Sequence, residues 1–442
     1  MTHLSVLEWD RVAVGEGGFS RRQADQLLAA ARSHPLGGAE GTNILIDHHR
    51  WLRSQQVVGI VAGEGCSLEI LPKIDQLGDA VSSEGRAGLR HRLVQMLDVA
   101  LGLEINLGRD AAMARQDETL LDILIRAFAD QLTNEVRRGL PRQYLRCEED
   151  LPTLRGRLDV TRQFTTLAVR PDRLACQFDI LSPDTTLLQV MKACVVFLAR
   201  HARRAETVRR LAELRVALAD VADVHPHHLA WDKIAIDRSN RRWRSLLALA
   251  RLFLRRDWQA THRANDLRDL AGVTLLFPMN DLFEAYVAAL LRKALAPEGY
   301  EVVSQGGLRY CLNEIAPDGT LGRPLFRTKP DCMVRRNGRT VLVIDIKWKR
   351  LSAAGSDPKR GVSQADVYQL MAYARLYDSA RLMLLYPHHP DLEGEGALAR
   401  HRLNVAGADE RLTIASIDVA ADRLATMASL KALVLGEAMV PA

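Results

Sequence analysis

The six cysteines, Cys66, Cys147, Cys176, Cys194, Cys311 and Cys332, are scattered along 442 residues without a single C-x-x-C pair. That spacing excludes a disulfide framework and a cysteine-based zinc site, and it reads as reduced thiols of a cytoplasmic protein. No stretch approaches the ~20 consecutive apolar residues needed to cross a bilayer, so no membrane role is expected. Met1 to Asp10 is too short and polar for a secretion signal. The Walker pattern G-x-x-x-x-G-K-[ST] is also missing; Gly15-Glu-Gly-Gly18 reads as a turn, and the chain is expected to carry no nucleotide site of its own. Aromatic residues are only 5% of the chain, and the aromatic walls of a base-flipping pocket cannot be placed among them. His225-Pro-His-His228 and His388-His389 have metal-ligand side chains but no acid or cysteine at ligand spacing, and they read as loops.

What is present is an uneven positive charge. The formal net charge of +6 is mild, yet between Arg323 and Arg360 eleven Lys and Arg residues face only Asp331, Asp345 and Asp357. A basic field around a few acids suits a polyanionic substrate such as nucleic acid. Arg327, Lys329, Lys349 and Arg350 are the candidate phosphate contacts.

Inside that field lies Val341 to Lys349, V-L-V-I-D-I-K-W-K, an apolar strand pattern into which an acid and a lysine are set two positions apart. Side chains alternate along a strand, so Asp345 and Lys347 share one face. Pro330-Asp331 precedes a second short strand, Cys332-Met-Val334, and Asn337-Gly338 between the two runs marks a hairpin turn. Two carboxylates converging on one point suit a hard cation, Mg²⁺ or in its place Mn²⁺, with Asp331, Asp345 and the Ile346 carbonyl as ligands. A neighbouring lysine can orient an attacking water and balance charge on a phosphorane, which makes Lys347 a candidate for phosphodiester hydrolysis.

The rest of the chain divides by period. Residues 1–80 read as a small α+β or β-rich unit: a helix over Arg21 to Arg32, then strands near Asn43–Ile46, Gln56–Val61 and Cys66–Leu71, closed by Pro72-Lys73-Ile74. Residues 81–268 read as mainly helical, with an extended segment near 144–160 and later helices from Asp184 to Arg204, Thr207 to Leu218 and Asn240 to Trp258. Asp184 is the expected cap of the first of these. Arg155 and Arg157 in the extended segment are either phosphate or carboxylate contacts or plain surface cations. Residues 269–442 open with a helix from Met279 to Ala296, capped at Asn280 and carrying Glu284 in its first turns. Strands near Glu301–Val303 and Leu308–Leu312, the hairpin, a helix with Gln369 and Tyr373 on one face, and strands Arg381–Tyr386 and Arg411–Ile417 complete a mixed sheet.

Pro330-Asp331, Asp345-Ile-Lys347 and Gln369-Leu-Met-Ala-Tyr373, in that order, resemble the PD-(D/E)XK nuclease signature with its Q-x-x-x-Y helix. The wider chain resembles the McrC family, the nuclease subunit of McrBC-type restriction systems. The matching stretches are Leu68-Glu-Ile-Leu-Pro-Lys-Ile74, Leu154-Arg-Gly-Arg-Leu158, Phe178-Asp-Ile-Leu-Ser182 and Leu282-Phe-Glu-Ala-Tyr-Val287. The resemblance implies an α/β multidomain protein with a carboxy-terminal PD-(D/E)XK domain and Mg²⁺-dependent cleavage of DNA, modified at cytosine and read through the partner. It also implies a McrB-like AAA+ GTPase ring, into which the amino-terminal unit docks and whose hydrolysis it stimulates. In it Glu284 faces the metal, while Gln369 and Tyr373 steady the phosphate and the metal water. A stand-alone repair or recombination nuclease, and a non-catalytic ring-binding regulatory subunit, are the alternatives.

Overall fold

In the computed structural model, residues 2–38, 40–73, 83–105, 118–255, 273–353, 357, 359–404 and 410–436 are described. The chain is a mixed α/β protein of two compact units, Met1–Leu120 with His262–Ala442, and Leu121–Thr261. The expected three-part division is therefore regrouped, with the first and last segments in one unit. The expected boundaries near 80 and 268, Ile74 and the helix end at Trp258 lie outside the described residues.

The regrouping has a local cause. In the amino-terminal sheet, Thr2–Leu7 runs parallel to Cys66–Leu71, which pairs with Val57–Gly63. The fourth strand is Leu275–Pro278, drawn from the far end of the sequence and antiparallel to Val57–Gly63. Every residue of Val57–Gly63 is buried, and such a strand needs a partner on both sides for its backbone groups. Gly59 permits the close approach: its φ is +128°, and a Cβ there would stand 2.0 Å from the Leu275 carbonyl oxygen. The helix Arg21–Ser33 is started by a reciprocal cap between Ser20 and Gln23 and buries Ala24, Leu27, Leu28 and Ala31 against this sheet. A second small sheet, Arg11–Ala13, Trp51–Ser54 and Leu45–Asp47, adds a strand at Trp51 that the sequence pattern did not reveal.

Beneath the sheet, fully buried Glu69 receives Arg90 of the helix Ser83–Leu101 through two hydrogen bonds of 2.8 and 2.7 Å. Burial pushes the Glu69 carboxyl upward, but Arg90 and the Ser5 hydroxyl outweigh it and hold the group below its ordinary value.

The remainder of this unit is a six-stranded mixed sheet in the order Glu301–Ser304, Cys332–Arg336, Arg339–Ile346, Arg381–Pro387, Arg411–Ile417, Gly396–Arg402. The central strand Arg339–Ile346 is antiparallel to one neighbour and parallel to the other. Its residues Leu342 to Ile346 are buried, as expected for a strand paired on both edges and covered on its faces. The helix Gln364–Tyr377 lays Leu370, Tyr373, Ala374 and Tyr377 into a core with Val343, Leu382, Leu384 and Tyr386. Leu321–Arg327, Gly396–Arg402 and the helix Arg423–Gly436 are elements without a counterpart in the sequence reading.

The second unit holds the helices Leu120–Arg137, Thr186–Ala199, Ala205–Ala217 and Arg244–Leu254. Phe128 meets Phe253 edge-on at 6.3 Å in its core. It is not helical throughout: the expected extended segment is the strand Gln143–Leu151, paired along its whole length with Leu174–Ser182, to which Arg157–Leu158 adds a short edge. Arg155 lies over the Phe178 ring at 4.2 Å, and Arg157 donates to Gln177 at 2.9 Å. The helix expected from Asp184 is capped instead by Thr185, which accepts from Leu188 N. Asp184 accepts from Gln189 and from the backbone of Ala222.

Candidate active site

The hairpin that carries the acids closes at Asn337 and Gly338, with φ of +52° and +78°. Two successive positive φ values make a primed turn, whose twist matches the paired strands, and Arg336 faces Arg339 across it. The register that follows places Cys332 opposite Ile344, so Asp331 and Asp345 sit at neighbouring ends of the two arms. The tie is direct: the backbone N–H of Ile346 donates to Asp331 Oδ2 at 2.8 Å.

Asp345 is fully buried, and among the described residues neither of its oxygens has a hydrogen bond of good geometry. Lys347, two residues on and on the same face, puts its ammonium 2.9 Å from Asp345 Oδ2 as an ion pair. Burial raises the Asp345 carboxyl and is only partly offset by Lys347. Burial and the Asp345 charge together raise that of Asp331. For Lys347, burial favours the neutral amine, but Asp345, Asp331 and Asp366 outweigh it and the net shift is upward. It therefore stands as an ammonium at neutral pH.

Glu284 joins the acids from the helix Met279–Leu295. Its carboxyl is pushed up to about 8, first by burial and then by Asp331 and Asp281. The helix begins after Pro278, and Asn280 is not its cap; the Asn280 side chain accepts from the backbone of Trp348 instead. From the other side, Gln369 Nε2 donates to the Tyr373 hydroxyl at 2.7 Å. Burial raises the Tyr373 phenol, Gln369 partly offsets it, and the charges of Asp345 and Asp331 add to the rise.

The basic candidates separate. Lys329 lies close enough to Asp331 and Asp281 to offset part of the rise that burial causes in both. Lys349 pairs with Asp366 at 3.3 Å and Arg350 with Asp391, while Arg327 ends an exposed ribbon of Tyr310–Ile315 and Leu321–Arg327. Three further groups went unread in the sequence. Gln305 donates its backbone N–H to the Asp331 carbonyl and its side chain, at a long 3.5 Å, to Glu284. Asp281 raises Glu284. Tyr386, on the strand beside Asp345, has a buried hydroxyl without a hydrogen-bond partner among the described residues, raised by burial and by Asp366 and Asp345. A Q-x-x-x-Y or D-x-K spacing can announce itself, but these three have no local signature.

The donor set fits a hard divalent cation: a buried Asp345 and a half-buried Asp331 whose ionisation is resisted, the first with oxygens that lack a hydrogen bond of good geometry among the described residues, are what such an ion would stabilise. Among the described residues no three acids, histidines or cysteines form a full ligand cluster, so water would complete the coordination, as Mg²⁺ prefers. Among the described residues no helix is long and apolar enough to cross a membrane.

A family model described as McrBC 5-methylcytosine restriction system component matches residues 52–387. No curated protein is matched. Among solved structures, the chain is similar to one from a refined half-complex of the tetradecameric assembly of Thermococcus gammatolerans McrB AAA+ hexamers with bound McrC. That likeness covers 99% of this chain and 100% of that one, with a TM-score of 0.72 at 19% identity. A cryo-EM structure of the Thermococcus gammatolerans McrBC complex matches 66% of this chain and 88% of its own, with a TM-score of 0.53 at 21% identity. At these identities the likeness is one of fold.

Proposed function

The chain belongs to the family of McrBC 5-methylcytosine restriction system components, and we propose that it is the DNA-cleaving subunit of such a system, with PD-(D/E)XK chemistry in its six-stranded sheet. The observation that carries this reading is the Asp345–Lys347 pair, 2.9 Å apart, with the acid fully buried in the run Leu342 to Ile346 of the central strand and the lysine just past its end. Placing a charge pair in such a strand costs several kcal/mol before its own attraction is counted. A purely structural role would be met at lower cost by an aliphatic pair.

Asp331 and Asp345 would hold a divalent cation, which when bound supplies charge to the scissile phosphate and a lowered pKa to a coordinated water. Lys347, as an ammonium, orients the attacking water and balances the negative charge that grows on the phosphorane. Asp331 keeps the strand end in place through its bond to Ile346. Gln369 holds the Tyr373 hydroxyl toward the dyad, where it can donate to a phosphate oxygen. Lys329 and Arg327, on the segment entering Asp331, and Lys349 and Arg350, on the segment leaving Lys347, would meet the flanking backbone of DNA.

The chain is proposed to work with a McrB-like AAA+ GTPase, as the McrC of Thermococcus gammatolerans is bound to McrB hexamers. The test combines the purified chain, a McrB-like AAA+ GTPase, GTP, Mg²⁺ and plasmid DNA containing 5-methylcytosine. Cleavage is expected with the wild type and a loss on the order of 10²-fold or more with Asp345→Ala, the two proteins still co-eluting. Wild-type cleavage rates from Asp345→Ala would remove the site assignment.

A further inference from the structure

Trp348 is where the central strand leaves its sheet, one residue beyond Lys347, and other segments hold all three of its hydrogen-bonding groups. The indole Nε1–H donates to Glu8 Oε1 at 2.7 Å. The backbone N–H donates to Asn280 Oδ1 at 3.2 Å, and the carbonyl accepts from Gln56 Nε2 at 3.3 Å. Trp348 as a whole is 6% exposed, and its ring meets Phe283 edge-on at 5.2 Å.

Glu8 follows the first strand of the amino-terminal sheet, and its own N–H donates to Leu71. It is 1% exposed. Its Oε1 also accepts from the backbone of Lys73 at 3.0 Å, while Oε2 has no hydrogen-bond partner among the described residues. Burying a carboxyl with one oxygen unmet is unfavourable, and an apolar side chain would pack an indole at lower cost. What the polar contact adds is one orientation of the ring, and with it one backbone position next to Lys347. That position matters because a displacement of about 1 Å in a reacting group can cost on the order of 10²-fold in rate.

We infer that Glu8 and Gln56 are positioning residues for Lys347, acting through Trp348, so that the amino-terminal sheet is a structural part of the cleavage centre. The inference rests on the nuclease reading for its catalytic consequence. Its geometric consequence is independent of that reading.

The test uses the full chain, alone and with its AAA+ partner, as wild type, Glu8→Gln, Glu8→Ala and Trp348→Phe. The amide oxygen of Gln can accept from both the indole and Lys73, so Glu8→Gln is expected to match the wild type. Glu8→Ala and Trp348→Phe are expected to lower the single-turnover rate on methylated plasmid about 10-fold or more, with DNA affinity unchanged. In the metal-free chain without DNA, acetylation of Lys347 followed by mass spectrometry should speed up severalfold relative to Lys349 in the same two variants. If Glu8→Ala does not fold, Trp348→Phe, which keeps an aromatic ring against Phe283, carries the test. Lys347 acetylation at the wild-type rate in the folded variants overturns the inference. If Lys347 acetylation rises as expected while the wild-type complex fails to cut, the positioning stands and the nuclease reading falls.

Discussion

Asp331 Oδ2 accepts the backbone N–H of Ile346 at 2.8 Å, so the residue between the acid and the lysine of one hairpin arm is fastened to the acid of the other. The carboxylate thus has two separable duties, one mechanical and one electrostatic. The same side chain fixes the strand end and contributes charge to the dyad.

Substitution at Asp331 separates them. Asp331→Asn keeps an oxygen for the Ile346 N–H and removes the charge; Asp331→Ala removes both. Both are expected to lose cleavage by on the order of 10²-fold or more. Only Asp331→Ala should also lose stability, by about 1–3 kcal/mol, because a part-buried N–H is left without its acceptor. Single-turnover cleavage alongside urea unfolding of the metal-free chain checks this, and equal stability of the two variants would show that the Ile346 bond is mechanically idle.

Glu284 gives the site a pH dependence with a definite sign. Its folded pKa of about 8 lies above the ordinary 4.5, raised first by burial and then by Asp331 and Asp281. The native protein therefore holds this proton more tightly than the unfolded chain does. The associated stability is complete below about pH 4.5 and is lost as the pH rises through about 8. Metal-free wild type should show a falling urea midpoint across that window, and Glu284→Gln, which cannot ionise, should show a shallower fall. Added Ca²⁺ should raise the wild-type midpoint most at the alkaline end, since it compensates the acids when they are charged. Identical slopes in wild type and Glu284→Gln would mean that the Glu284 carboxyl titrates as if in water.

The hairpin was legible because its signals are local and mutually consistent. Asn337-Gly338 sits between two β-rich runs, and alternation alone puts Asp345 and Lys347 on one face. The Gln369–Tyr373 pair was legible for the same reason, a helical spacing of four. Elements whose partners are distant or whose composition misleads were not. Leu321–Arg327 contains Gly322 and Pro324, which argue against a strand, yet it pairs with Tyr310–Ile315 as an exposed ribbon that can tolerate both. Gly396–Arg402 lies at a sheet edge and lacks a buried apolar face. Nothing in the period of Leu275–Pro278 announces a partner at Val57–Val58 and Gly59–Ile60, and that pairing, together with the contacts of Glu8 and Gln56 to Trp348, joins the two ends of the sequence in one unit. Asn280 and Asp184 have the right chemistry for caps, and both are used instead to hold backbone from elsewhere in the fold. Part of the Leu68–Ile74 match also acquires a physical basis, since the Glu69 side chain takes Arg90 and the Lys73 backbone N–H donates to Glu8.

Lys347 and Lys349 should separate chemistry from affinity. Both follow Asp345 in the sequence, past the strand end at Ile346, but the Lys347 ammonium is 2.9 Å from Asp345, whereas that of Lys349 is 3.3 Å from Asp366 on the neighbouring helix. The Lys347 side chain is 20% exposed and that of Lys349 53%, so only the second can reach DNA lying outside the dyad. Lys347→Ala is expected to lower the single-turnover rate at every salt concentration, because it leaves Asp345 buried without its ion partner and the attacking water without its guide. Lys349→Ala is expected to weaken DNA binding and to flatten the salt dependence of affinity by about one unit of slope, the signature of one lost phosphate contact. Cleavage at saturating enzyme and filter binding across a salt series distinguish the two. If Lys349→Ala abolishes the chemical step while Lys347→Ala cuts at the wild-type rate, the Asp345–Lys347 pair is structural and the reacting cation lies one strand period further on.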